Sequence, residues 1–213
     1  MILVGLLGGP SVGKSTVAAG LFHQCKIAGI KSALIQEFVR EELNKGWCLN
    51  GVSDQFRILM KQREREFMLP DEIEVAITDS PTLLSFVYAP RSAFNLAQDY
   101  HNMVALYEEF LKDLMRYDLI IILERNPEHF EDDGTRRESE TQCNEIDTQL
   151  ETLLQLHRRP YLKLASDETT VEIIMGKIRE LVNDDDSLDN VGVGNGLLHP
   201  WGCSKWLWNR HKG

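Results

Sequence analysis

Residues 2–7, ILVGLL, run without a polar side chain and stop at Gly8-Gly9-Pro10. An apolar run with no alternation predicts a strand covered on both faces, as in the interior of a parallel sheet. From Lys14 the spacing changes, and Val17, Ala18, Leu21 and Cys25 recur with a helical period that Gly29 closes. The same change of period recurs downstream. SALIQEF (32–38), EVAITDS (74–80), DLIIILE (118–124) and the weaker YLKLA (161–165) predict further buried strands. Helices are predicted over 38–45, 53–69, 93–116 and 168–182. Strands that alternate with helices make a doubly wound α/β layer, in which ligands bind outside the carboxyl ends of the strands. The pattern breaks after Val182, so the main domain is expected over 1–182, an acidic and glycine-rich linker over 183–196, and a tail over 197–213.

The junction between the first strand and the first helix carries the clearest chemistry. Gly8 and Gly13 enclose four residues and Lys14-Ser15 follow, the G-x-x-x-x-G-K-[ST] spacing of a phosphate-binding loop. Glycines let successive amide N–H groups converge on anionic oxygens, and the helix N-terminus adds partial positive charge. Gly8, Gly9, Pro10, Ser11, Val12, Gly13, Lys14, Ser15 and Thr16 are therefore the candidate nucleotide-binding residues. Lys14 is expected to reach the β and γ phosphates and Ser15 to ligate magnesium.

Other polar residues fall where the predicted strands end. Asp79 closes EVAIT and is a candidate magnesium ligand or catalytic carboxylate; alternatively Asp79 or Ser80 caps a helix whose first residue is Pro81. Glu37 closes the second strand and is a candidate proton acceptor, or a solvated charge at a helix start. Arg40 lies one turn on, where it could meet an acceptor phosphate, Glu37 or Glu41. In EDDGTRRESE (131–140), Arg136 and Arg137 follow an Asp-Gly turn and either form a solvated salt-bridge patch or close over a transferring phosphoryl group, with Arg136 as the catalytic cation and Arg137 as a nucleotide contact. Gln62 and Glu64, in KQREREF, read as a solvated helix face with pairs such as Lys61 with Glu64.

Composition narrows the class without changing it. With 43% apolar and 26% charged residues, the 213-residue chain has the make-up of a globular enzyme. Its formal net charge of -10 gives no general attraction to nucleic acid or an anionic membrane. Cys25, Cys48, Cys143 and Cys203 show no metal-ligand spacing and read as reduced thiols. The first apolar run is too short to span a bilayer and lacks a basic flank, so a cytoplasmic protein with no membrane partner is expected. Trp201, Trp206 and Trp208, interleaved with Lys205, Arg210 and Lys212, leave two readings of the tail: packing on a protein surface, or stacking on nucleic-acid bases.

Taken together, GGPSVGKST, EFVRE, Gln62 followed by Glu64, TDSP, YDLIIIL, DGTRRE and the closing IDTQLETLLQLHRRPY segment resemble the P-loop ATPase/kinase family of the NadR type, common in bacteriophages. The layout is also similar to that of thymidylate and deoxynucleoside kinases. This resemblance implies a three-layer P-loop NTPase sandwich with a five-stranded parallel sheet in the order 2-3-1-4-5 and helices on both faces. It also implies ATP and Mg2+ as cofactors, and phosphoryl transfer to a nucleoside- or nucleotide-type acceptor. In phage relatives that acceptor includes 5-hydroxymethyldeoxyuridine within DNA, which would place the protein in the host cytoplasm. Ser80-Pro81 stands where thymidylate kinases carry an arginine, which shifts weight toward a hydroxyl acceptor. A regulatory ATPase acting through a partner protein, a passive nucleotide-binding module and a homodimeric assembly stay open at this level.

Overall fold

The computed structural model describes residues 1–49, 51–91, 96–125 and 139–189. Five strands, β1 (Ile2–Leu7), β2 (Ser32–Ile35), β3 (Val75–Thr78), β4 (Leu119–Glu124) and β5 (Leu162–Ala165), form one sheet in the order β2-β3-β1-β4-β5. Every pairing is parallel, with Val4 opposite both Ile77 and Leu119. The expected sheet order is therefore observed. β1 lies at the centre, which explains why none of its residues needs to be polar.

Alternate β1 residues feed two cores. Ile2, Val4 and Leu6 face α1 (Lys14–Ile27) and α7 (Thr170–Asp189), meeting Val17, Leu21, Ile174 and Ile178. Leu3 and Leu7 face the opposite layer, where α4 (Leu83–Tyr88), α5 (Leu96–Leu114) and α6 (Glu140–Leu156) supply Leu83, Phe110, Leu114, Ile146 and Leu150. α2 (Phe38–Asn44) and α3 (Val52–Phe67) complete the chain, and Val52 and Leu59 form a smaller cluster with Leu106. A fully buried aliphatic side chain contributes about 1.5–3 kcal/mol, so these two cores dominate the stability.

Several boundaries differ from the pattern-based expectation. β2 ends at Ile35, and Phe38 opens α2, because Phe38 buries against the domain instead of continuing the ladder. α4 was hidden from periodicity by its six-residue length. It begins at Leu83 after Thr82, so neither Asp79 nor Ser80 is its cap and Pro81 is not its first residue. α6 starts from a reciprocal capping box in which the Ser139 hydroxyl accepts from Gln142 N–H and the Gln142 side chain accepts from Ser139 N–H. α7 runs to Asp189, beyond the expected 168–182. Among the described residues, no helix is long and apolar enough to cross a membrane.

A polar cluster is sealed between α3, α5 and β4. Glu66 accepts from Arg116 at 2.9 Å and from the Tyr117 hydroxyl at 3.0 Å, while Arg63 bridges Glu109 and Asp113. Burial pushes the Glu66 carboxyl up to about 7, against the pull of Arg116 and Tyr117. Between the unfolded value of 4.5 and about 7 the native state holds a proton that the unfolded chain releases. Stability from this group is therefore complete below the unfolded value and is lost as pH rises through about 7. The carboxylates of Glu109, beside Lys112 and Arg63, and of Glu151, beside Lys163 and the Tyr161 hydroxyl, are shifted down and act in the opposite direction at lower pH. Urea unfolding of wild type and Glu66→Gln should show wild type losing about 3 kcal/mol more than the variant between about pH 4 and about pH 8.

Candidate active site

The β1–α1 turn is built by left-handed backbone. Gly8 has φ 141°, Ser11 φ 66° and Gly13 φ 85°. A β-carbon at Gly13 would also collide with the Ser166 hydroxyl from the β5–α7 turn, so the second glycine of the motif is required by both backbone and space. Ser11 holds a conformation uncommon for a residue with a side chain, and such positions concentrate in functional loops.

The loop folds around Lys14. Its ammonium donates to the Gly8 carbonyl at 2.7 Å and to the Gly9 carbonyl at 2.6 Å. Burial lowers its pKa from the usual lysine value, opposed by the charges of Glu37, Asp147 and Asp79. An anion arriving at this loop would meet an ammonium held in place and α1 pointing its N-terminus outward.

Ser15 and Asp79 come together, although 64 residues separate them. The Ser15 hydroxyl donates to Asp79 Oδ2 at 2.8 Å. The other carboxylate oxygen, Oδ1, is buried and has no hydrogen-bond partner among the described residues. A hydroxyl and a carboxylate with an unfilled acceptor are hard oxygen donors, which suit a magnesium ion that keeps part of its water shell. The pair therefore fits the expected cation, while no cluster of three or more metal-ligating side chains occurs among the described residues.

Glu37 lies on the same rim, half-buried as the residue that leads into α2, and pairs with Arg40 at 3.4 Å. Glu41 instead takes a two-pronged contact from Arg65. The rim is pinned by Gln62, which corrects the expectation of a solvated face at that position. Gln62 is buried, accepts from Phe38 N–H at 2.9 Å, and donates to the Gln36 carbonyl and the Thr78 hydroxyl at 3.3 Å. It thus ties the ends of β2 and β3 together beside Glu37 and Asp79. Its neighbour Glu64 does stay outside, paired with Lys61 at 2.6 Å.

These residues line one cleft of about 460 Å3 that runs from Ser11, Lys14 and Ser15 past Glu37 and Asp79. The same cleft is lined by the apolar Val39, Leu43, Leu49, Ile58, Leu84 and Tyr88, and by the polar Arg40, Asn44, Gln55, Gln62, Ser80, Thr82 and Ser85. The phosphate loop therefore shares one cleft with a group of apolar side chains and about as many polar ones.

A family model described as an AAA domain matches residues 3–172. The chain belongs to this family. Membership in the AAA domain family carries nucleoside triphosphate binding with it, in agreement with the loop. No curated protein matches the chain. Among solved structures, NadR in complex with NR aligns at a TM-score of 0.59 with 19% identity, covering 91% of this chain and 53% of the other. NadR in complex with NAD and AMP-PNP aligns at 0.54 with 16% identity, over 92% and 51%. Thymidylate kinase from Ehrlichia chaffeensis aligns at 0.51 with 12% identity, over 89% and 98%. This AAA domain spans about half the length of the NadR chains. At such identities the likeness is one of fold.

Two residues of the site escaped the sequence reading. Arg125 follows β4 and donates to the Pro10 carbonyl at 2.8 Å, and Asp147 of α6 accepts from Gly9 N–H. Arg125 could have been found by the strand-end argument that picked out Asp79. Asp147 could not, because its contact is made 138 residues away. Arg136, Arg137 and the tryptophans of the tail lie outside the described residues. Urea unfolding should separate the two neighbouring polar residues of α3. Gln62→Leu is expected to cost about 1–3 kcal/mol by stranding the Phe38 N–H, and Glu64→Gln less than about 0.5 kcal/mol.

Proposed function

We propose that this protein is an ATP- and magnesium-dependent kinase that phosphorylates a hydroxyl of a nucleoside-type acceptor. The observation that carries the proposal is that the phosphate loop, two carboxylates and a group of apolar side chains line one cleft. Apolar side chains with amides and hydroxyls among them suit a base or similar ring, and among the described residues the one arginine lining the cleft, Arg40, is paired with Glu37. A free nucleoside hydroxyl therefore suits the cleft better than a second phosphate. The resemblance to NadR-type and thymidylate kinases supports the same class.

In this reading Gly13, Lys14, Ser15 and Thr16 bind the triphosphate, and Lys14 stabilises charge on the transferring group. Ser15 and Asp79 hold magnesium, which when bound neutralises phosphate charge. Glu37 accepts the proton as the acceptor oxygen bonds to the γ-phosphorus and the bond from that phosphorus to the β–γ bridging oxygen breaks, releasing ADP. Arg136 and Arg137 are assigned on sequence grounds as cations for the transferring group. The net charge of -10 gives no general pull toward DNA, so a hydroxymethylated base in a polymer is the less favoured acceptor.

The test is γ-labelled ATP with magnesium against free nucleosides, free nucleotides and DNA containing 5-hydroxymethyluracil. Label in a free nucleoside is expected, and Lys14→Ala should reduce it by about a thousandfold or more. Label released only as inorganic phosphate would overturn the kinase assignment in favour of an ATPase switch. Full transfer by Lys14→Ala would overturn the mechanism.

A further inference from the structure

The G-x-x-x-x-G-K-[ST] spacing demands glycine at positions 8 and 13 and leaves position 9 open, yet this chain carries Gly9. The reason is visible in what surrounds it. A β-carbon at Gly9 would approach Asp147 Oδ1 and Arg125 Nη2 to 3.0 Å and the Cys143 carbonyl to 3.1 Å. No left-handed φ explains the glycine, since Gly9 is absent from the residues with positive φ. Space does.

The contacts that crowd Gly9 form a closed bracket. Gly9 N–H donates to Asp147 Oδ1 at 2.5 Å. Asp147 Oδ2 pairs with Arg125 at 3.2 Å, and the other terminal nitrogen of Arg125 donates to the Pro10 carbonyl at 2.8 Å. Gly9 is thus held at both of its polar groups, its N–H by Asp147 and its carbonyl by Lys14. The Gly8 carbonyl, the second acceptor for Lys14, belongs to the same peptide as the Gly9 N–H that Asp147 holds. Turning that peptide would take one acceptor away from Lys14 and move the other.

We propose that Asp147 and Arg125 are positioning residues of the phosphate loop, which hold the Gly8–Pro10 backbone so that Lys14 is presented to the nucleotide phosphates. Neither side chain is among those that line the cleft. α6 and the end of β4 set the loop from behind, and Gly9 is the space through which they reach it. The inference rests on the reading that the loop binds ATP, but on neither the acceptor nor the transfer step.

The experiment measures ATP affinity by calorimetry, without acceptor, for the full chain and its Asp147→Ala, Asp147→Asn, Gly9→Ala and Lys14→Ala variants. Circular dichroism selects a temperature at which the variants are folded. Loss of a charge-assisted hydrogen bond that aligns the loop is expected to weaken ATP about tenfold to a hundredfold in Asp147→Ala and Gly9→Ala. Asp147→Asn keeps an oxygen for Gly9 N–H but loses the charge that faces Arg125 and Lys14, and is expected to weaken ATP clearly less than Asp147→Ala does. Wild-type affinity in folded Asp147→Ala and Gly9→Ala, with affinity lost in Lys14→Ala, would overturn the positioning role alone. An equal loss in Asp147→Asn and Asp147→Ala would do the same. Wild-type affinity in Lys14→Ala would overturn nucleotide binding by the loop, and the positioning role with it.

Discussion

An ammonium drawn out of water has to be compensated by the protein around it, and the site of this chain is arranged around that requirement at Lys14. Two backbone carbonyls accept its protons, and Glu37, Asp79 and Asp147 counter the loss of hydration. Those three carboxylates come from the start of α2, the end of β3 and the middle of α6. Compensating one charge therefore requires three separate parts of the fold to be correctly placed. The same ammonium lies at the N-terminus of α1, where helix N–H groups favour an anion.

The parallel sheet makes that convergence possible. With all five strands running the same way, the carboxyl ends of β1, β2, β3 and β4 share one rim, and the residues after them meet without long excursions. The rim is then fixed by buried polar side chains. Gln62 joins the ends of β2 and β3, while Thr82 N–H donates to the Tyr117 hydroxyl, which in turn donates to Glu66. Each of these groups would be costly to leave unpaired, so the position of the rim is strongly specified.

Much of this was legible before any coordinates. The run ILVGLL, the glycine-lysine-serine spacing and the helix that follows are local features, and each depends only on residues close in the chain. Asp79 was legible by position, at the end of an apolar run, although its choice between capping a helix and meeting Ser15 was not. Gln62 was misread because its polar side chain lies in a charged stretch, KQREREF, where hydropathy places it outside. α4 was overlooked because six residues give less than two turns, too few for a period to emerge.

By itself the sequence determined the class of fold, the place of the phosphate loop and the strand ends where polar residues could act. These follow from hydrophobic periodicity and from the backbone freedom of glycine, both of which operate over a few residues. Tertiary structure alone decided which carboxylate faces Ser15, that Gln62 is interior, and why position 9 is glycine. Those outcomes depend on groups brought together from 24 to 138 residues apart, where desolvation and close packing select partners that no local pattern records.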